Sequence, residues 1–183
     1  MYEVEVKAHL RNRRAVLQKL EDMGCKFGDE LHQVDHIFIP DNLPFPPPIG
    51  IPVLRVRNQD GKYFLTLKIS QSGRQDSLER ELEIADGPVM IEIIKLLNYK
   101  QVPIVDKKRI KANVNNIEIS LDSVKNLGEF IEVEKIVTLD NPEDRKQIQS
   151  ELCDFLETIG VLKEDHLVNH KYDIMLFEKQ GMK

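Results

Sequence analysis

The chain has 183 residues, 26 basic and 31 acidic, for a net charge of -5, and 41% of it is hydrophobic; that supports one domain with a real core, expected over residues 1–183. The acidic balance argues against gripping duplex nucleic acid by its backbone, and no run reaches the roughly 18 apolar residues of a membrane span. The charged start Met1-Tyr2-Glu3-Val4-Glu5 is unlike a secretory signal, and the distant Cys25 and Cys153, outside any CxxC pair, predict reduced thiols in a cytoplasmic protein.

Residues 2–10 alternate, with Glu3, Glu5 and Lys7 on one face and Val4, Val6 and Ala8 on the other, which is a strand period. Residues 12–24 follow as a helix with Val16, Leu17, Leu20 and Met23 on its apolar side and Gly24 placed to end it. Residues 33–39 read as a strand. The proline-rich stretch from Pro40 to Pro52 can be neither helix nor central strand and is expected as a stiff connecting loop. Residues 53–58 and 62–69 predict a hairpin turning at Gln59-Asp60-Gly61. Residues 78–84 alternate again. Pro88 starts a second helix whose buried side is Met90, Ile91, Ile94 and Leu97. Strands are expected near 101–112, 115–122 and 128–137, with Asn115-Asn116 as the first turn between them. Asn141-Pro142 opens a third helix carrying Ile148, Leu152, Phe155, Leu156 and Ile159, stopped by Gly160. The count is about eight strands and three helices, an α+β chain.

The chemistry lies in the parity of the strands. Glu3, Glu5 and Lys7 share a face; so do Arg55 and Arg57, Thr66 and Lys68, Glu79, Glu81 and Glu83, Lys107 and Arg109, and Glu132 and Glu134, while Asp122 ends its own strand. A solvated sheet face usually mixes neutral polar residues with its charges. These positions are charged almost without exception, and the apolar faces have three amphipathic helices to cover them. If the helices pack outside a bent sheet, the charges line its interior. Desolvated charges are costly unless paired or met by a charged ligand. Lys7, Arg55, Arg57, Lys68, Lys107 and Arg109 suit a polyphosphate, since Arg forks match phosphate oxygens and Lys supplies point charge. The carboxylates suit Mg²⁺ or Mn²⁺, hard cations that take oxygen ligands, with Glu3-x-Glu5 and Glu132-x-Glu134 each aiming two side chains at one volume.

These residues, in this order, resemble the CYTH superfamily of class IV adenylyl cyclases and thiamine triphosphatase-like enzymes. The resemblance rests on the ExExK strand (Glu3, Glu5, Lys7), Gln33-Val34-Asp35-His36-Ile37-Phe38, Leu54-Arg55-Val56-Arg57, Leu65-Thr66-Leu67-Lys68, Arg80-Glu81-Leu82-Glu83, Val105-Asp106-Lys107-Lys108-Arg109, and Leu121-Asp122 with Leu127 to Glu134. It implies an antiparallel tunnel-like barrel with a metal-triphosphate in its lumen. The six basic residues would hold the triphosphate, and Glu3, Glu5, Asp122, Glu132 and Glu134 the metal. Lys7, Glu5 and Glu134 would be catalytic, and Glu81, Glu83 and Lys171 further lumen residues. His170-Lys171-Tyr172-Asp173 departs from the Ser-Tyr pair frequent in the cyclase branch, with Lys171 in place of the serine. ATP conversion to cyclic AMP and pyrophosphate is expected, with tripolyphosphate or thiamine triphosphate hydrolysis as the alternative and a non-catalytic polyphosphate-binding module behind both. Lys7 is a candidate proton acceptor, because burial and neighbouring cations lower a lysine pKa; His32, His36, His166 and His170 are candidates by residue type. The expected partner is a small-molecule triphosphate, with no nucleic acid and no membrane, and a homodimer stays open.

Overall fold

The computed structural model describes residues 1–167 and 170–181. Its strands in chain order are β1 (Tyr2–His9), β2 (Leu31–Pro40), β3 (Pro52–Gln59), β4 (Lys62–Gly73), β5 (Asp76–Ile84), β6 (Tyr99–Gln101), β7 (Val105–Val114), β8 (Ile117–Val124), β9 (Gly128–Val137) and β10 (His166–Leu167). The helices are α1 (Arg13–Asp22), α2 (Gly87–Leu96), α3 (Pro142–Thr158) and α4 (Tyr172–Lys179). No helix among the described residues is long and apolar enough to cross a membrane.

Eight strands close an antiparallel ring in the order β1-β5-β4-β3-β2-β7-β8-β9, with β9 returning to β1 along its full length from Tyr2↔Val137 to His9↔Phe130. The expected α+β architecture, strands in a ring with helices outside, is what forms. Several details differ from the expectation: Met23 and Leu97, expected on buried helix faces, are exposed at the helix C-termini, and a short strand, β10, is added beside β1. The strand foreseen near 101–112 is two, the short β6 and the long β7, because Pro103 lacks the N–H that a continuous ladder needs. A fourth helix, α4, also forms; its eight residues are too short for a clear helical period.

Turn and cap chemistry sets the register. Asn115 and Asn116 both take left-handed backbone, φ 49 and 62, which the two-residue hairpin between β7 and β8 requires. Each of the three outer helices opens on a side-chain cap, from Asn12 to the Ala15 N–H, Asp86 to Val89 and Asn141 to Glu143.

The apolar faces of the ring go to three separate places. Outside β1, β8 and β9, Val4, Val6, Ile119, Leu121, Ile131 and Val133 pack with Val16 and Leu20 of α1 and Leu152 and Leu156 of α3. Outside β2 and β3, Phe38 and Val56 pack with Ile94 of α2. The third cluster is internal. Val105, Val124 and Phe130 have the parity of the charged face, and they turn one end of the lumen apolar against Tyr172 and Leu176 of α4. Helix α4 and the proline-rich loop therefore stop that end, where Phe45 meets Phe177 edge-on at 5.0 Å and Arg74 donates to the Pro47 carbonyl at 3.0 Å. At the other end the inner-face residues Lys62, Glu81, Glu83 and Ile136 are exposed, so the ring opens there to solvent.

Candidate active site

The lumen gathers side chains from seven of the eight ring strands and from the start of α4. Strand β1 supplies Glu3, Glu5 and Lys7; β3 supplies Arg55 and Arg57; β4 and β5 supply Lys68, Glu79 and Glu81; β7 and β9 supply Lys107, Arg109, Glu132 and Glu134. Their shared direction follows from two-residue strand spacing and unbroken register across the ring.

Most of these charges are paired. Arg57 forks onto Asp35 at 2.6 and 2.8 Å. Arg109 forks onto Asp122, with its Nε 2.6 Å from Oδ1, and also reaches Glu132 at 3.1 Å. Lys7 lies 2.8 Å from Glu132 and 3.6 Å from Glu5. Lys68 contacts Glu3 at 2.6 Å and Glu79 at 2.9 Å, and Arg55 bridges Glu79 and Glu81. Tyr172 donates its hydroxyl to Asp122 at 2.9 Å and lays its ring under the Lys7 and Lys107 ammoniums, 4.5 and 5.3 Å from the centroid. Without these partners the buried cations would lose much of their stability.

Pairing is uneven along the axis. Toward the open mouth, Glu3, Glu5 and Glu134 bring carboxylate oxygens within 4.8 Å of one another. Burial, then the charges of Glu3 and Glu132, push the Glu134 carboxyl up to about 8. Three hard oxygen donors with a surplus of negative charge fit a divalent cation of the Mg²⁺ or Mn²⁺ class. Toward the closed end the surplus is positive. Burial, with Arg109 close by, lowers Lys107 to about 7. Burial and Lys68 lower Lys171 to about 8. Burial also works against the Lys7 ammonium, but Glu132 and Glu5 more than offset it, so Lys7 stays above its ordinary value. The lysine expected to be depressed is therefore the one that keeps its proton. No histidine lines the lumen among the described residues: His36 shares the outer face of β2 with Phe38, and His32 binds Asp106 on the exterior.

The candidates chosen from sequence thus fall into three groups. Lys7, Arg55, Arg57, Lys68, Lys107, Arg109, Lys171, Glu3, Glu5, Glu81, Glu132 and Glu134 all line the cavity. Asp122 is fully buried behind it, its oxygens taken by Arg109 and Tyr172, and β8 continues past it to Val124. Glu83 has inner-face parity but sits exposed on the rim, outside the lining. Reading from sequence missed Asp35, Lys111, Asp173 and Tyr172 as lining groups and Glu118 as the partner of Lys111. Lys111 continues the Lys107, Arg109 alternation by one more step, so that signal was present. Tyr172 and Asp173 carried none, since α4 lacks a legible period.

The CYTH domain model matches residues 1–169. The chain belongs to the CYTH family. A relative from Methanocaldococcus jannaschii bearing the name "Putative adenylate cyclase MJ0240" is 30% identical over 174 residues, 94% of this chain and 97% of its own. The CYTH-like ring also matches the PH1012 protein from Pyrococcus horikoshii, at TM-score 0.76 and 32% identity, over 95% of this chain and 98% of that one. A Hippeastrum protein bearing the name "Putative adenylyl cyclase HpAC1", described as revealing a dominant triphosphatase activity, shares the fold at TM-score 0.60 and 18% identity, covering 99% of this chain and 96% of its own.

Proposed function

We propose that this CYTH protein is a metal-dependent enzyme that acts on a triphosphate held inside the ring, and that its reaction is the conversion of ATP to cyclic AMP and pyrophosphate. The observation that carries this reading is the polarity of the lumen. With one end stopped by α4, an organic triphosphate enters phosphates first through the open mouth. Its terminal phosphates then reach Lys7, Lys107 and Lys171, while the α-phosphate lies beside Glu3, Glu5 and Glu134. That arrangement supports chemistry at the α-phosphorus. The ribose 3′-oxygen forms the new bond, the bond to the β-phosphate oxygen breaks, and the hydroxyl proton passes to solvent at the mouth. Arg55, Arg57 and Arg109 hold phosphate oxygens in line with the N–H groups that their carboxylate partners leave over, the forks of Arg57 and Arg109 being held in place by Asp35 and Asp122. Glu3, Glu5 and Glu134 would hold a divalent ion, which supplies Lewis-acid charge to those oxygens when bound. Lys7, Lys107 and Lys171 stabilise the leaving pyrophosphate. The same reading places the protein in the cytoplasm, with neither nucleic acid nor membrane as partner.

A second reading, hydrolysis of the terminal phosphate, is supported by the lining of the charged zone. Its aromatic residue, Tyr172, already has two ammoniums on its ring, so nothing there demands a nucleoside. The activity described for HpAC1 points the same way.

Product analysis separates the two. The protein is incubated with ATP, thiamine triphosphate or tripolyphosphate in Mg²⁺ or Mn²⁺, with Glu134→Ala as the control. Cyclic AMP with pyrophosphate, lost in the variant, is the expected result. Orthophosphate without a cyclic product would transfer the assignment to a triphosphatase.

A further inference from the structure

Among the described residues the lumen has one way out. At the far end Tyr172 and Leu176 of α4 close on Val105, Val124 and Phe130, and the proline-rich loop is pinned over α4 by the edge-on contact of Phe45 with Phe177. A void does continue behind Lys171 and Asp173, between that loop and α4, but its volume is about 30 Å³, room for a water or two and not for a phosphate. Whatever lies deepest in the lumen therefore leaves by the mouth.

The passage is also narrow. Its free volume is about 190 Å³, below the roughly 300–1,000 Å³ of pockets that bury one drug-sized ligand, so a cyclic nucleotide and a pyrophosphate formed there have no room to change places. Their order along the axis is fixed by the strands. Lys7 lies four residues rearward of Glu3 on β1, about 13 Å of extended chain, and the Glu5–Glu134 register pair stands between the two. A pyrophosphate on Lys7, Lys107 and Lys171 thus has the carboxylates of Glu3, Glu5 and Glu134 between itself and solvent.

We infer that the products of this site leave in a fixed order, cyclic nucleotide first and pyrophosphate last, and that retained pyrophosphate is the site's own inhibitor. The inference rests on the reading that ATP is cyclised in the lumen, and it adds how the site is cleared and regulated. The cyclic product forms at the mouth-side phosphorus and has only solvent in front of it. The pyrophosphate lies behind, its charge met by the lysines, on the positions that the next triphosphate needs for its β- and γ-phosphates. Cyclisation uses no water: the α-phosphorus exchanges its bond to the β-phosphate oxygen for one to the 3′-oxygen, and pyrophosphate is released intact. The class of reaction that must consume it is hydrolysis of a phosphoanhydride, without which turnover slows as the product accumulates.

Initial rates of the full-length protein with ATP varied, at fixed free Mg²⁺ and with one product added, read the order directly. Pyrophosphate, the last to leave, should raise KM for ATP and leave kcat unchanged. Cyclic AMP, the first, should lower kcat as well. An added pyrophosphate-hydrolysing enzyme should straighten a progress curve that otherwise bends. Lys107→Met, which removes one ammonium from the deep end, should weaken inhibition by pyrophosphate by about tenfold or more and inhibition by cyclic AMP by less than about threefold. If cyclic AMP is the competitive product, pyrophosphate leaves first and by the rear; if both compete with ATP, or Lys107→Met weakens both equally, the products do not queue. Each of these results overturns the order while the cyclisation reading stands. If ATP yields orthophosphate and no cyclic AMP, that reading fails and the order falls with it.

Discussion

Glu134 and Lys107 sit in one lumen and are both driven toward neutrality, for opposite reasons. Glu134 has no ion-pair partner among the described residues and stands among carboxylates; Lys107 is buried beside Arg109. With its carboxyl near 8, Glu134 holds a proton at neutral pH that a metal must displace. Apparent Mn²⁺ affinity should therefore rise by up to tenfold per pH unit as pH climbs toward 8, with a proton released on binding, and Glu134→Gln should flatten that slope. Calorimetry in buffers of different ionisation enthalpy measures the proton directly. Lys107 runs the other way. Its folded value, about 7, lies below the ordinary 10.5, so the unfolded chain holds the proton more tightly between those limits. Its contribution to stability is complete above 10.5 and is lost as pH falls toward 7. Lys107→Met removes this titration. The variant should gain on wild type, by roughly a few kcal/mol in total, as pH drops from about 10 to 7, and the difference should level off below 7. Urea midpoints taken across that range check it.

At the scale of elements, the positions of the carboxylates depend on how β1 is held. Strand β9 pairs with all of β1, while the opposite side is shared: β5 takes Tyr2 to Val4, the Gln75 carbonyl accepts from the Glu5 N–H at 3.0 Å, and β10 takes Lys7 and Ala8. The turn bearing Gln75 is pinned by a buried ion pair, in which Arg145 of α3 reaches Asp76 at 2.8 Å and the carbonyls of Leu139 and Asp140, and stacks over Tyr2 at 4.3 Å. Arg145→Met strands the Asp76 carboxylate and should cost about 3–5 kcal/mol in chemical denaturation. Arg145 lies outside any motif that sequence alone marks, and that contrast says what was legible. Strand alternation revealed the lumen face and nearly all its charges, because a ring keeps one parity facing inward over every strand. The amphipathic helices were equally plain, with Pro88 and Asn141-Pro142 marking two of their starts, whereas the Asn12 and Asp86 caps emerged only in the structure. What escaped depends on three-dimensional closure. Asp122 keeps the lumen parity yet lies behind Arg109, a matter of depth that periodicity does not encode. Tyr172 enters from a two-turn helix.

Across the whole molecule, closure of the sheet leaves none of the eight ring strands with a free edge and frees the interior to be polar. The lining is electrically balanced as well: eight acidic and eight basic side chains face the cavity, the acids weighted toward the mouth and the bases toward the stopped end. Balance means that the bare lumen has little net attraction for either ligand alone. A triphosphate brings several negative charges past the carboxylates of the mouth, and a divalent ion must sit within reach of the lysines. Each ligand offsets the charge that opposes the other, so binding should be strongly coupled. Tripolyphosphate should bind at least tenfold more tightly in saturating Mg²⁺ than in its absence, and Mg²⁺ should gain the same factor from saturating tripolyphosphate, since linkage is reciprocal. Two calorimetric titrations, corrected for complex formation in solution, measure both factors. In Glu134→Gln, which cannot give up a proton to a metal and become a charged ligand, the coupling should shrink at neutral pH while metal-free tripolyphosphate binding stays close to wild type. Equal affinities with and without metal would mean that the carboxylates of the mouth and the lysines behind them do not act on one ligand, and the polarity of the lumen would then need a different explanation.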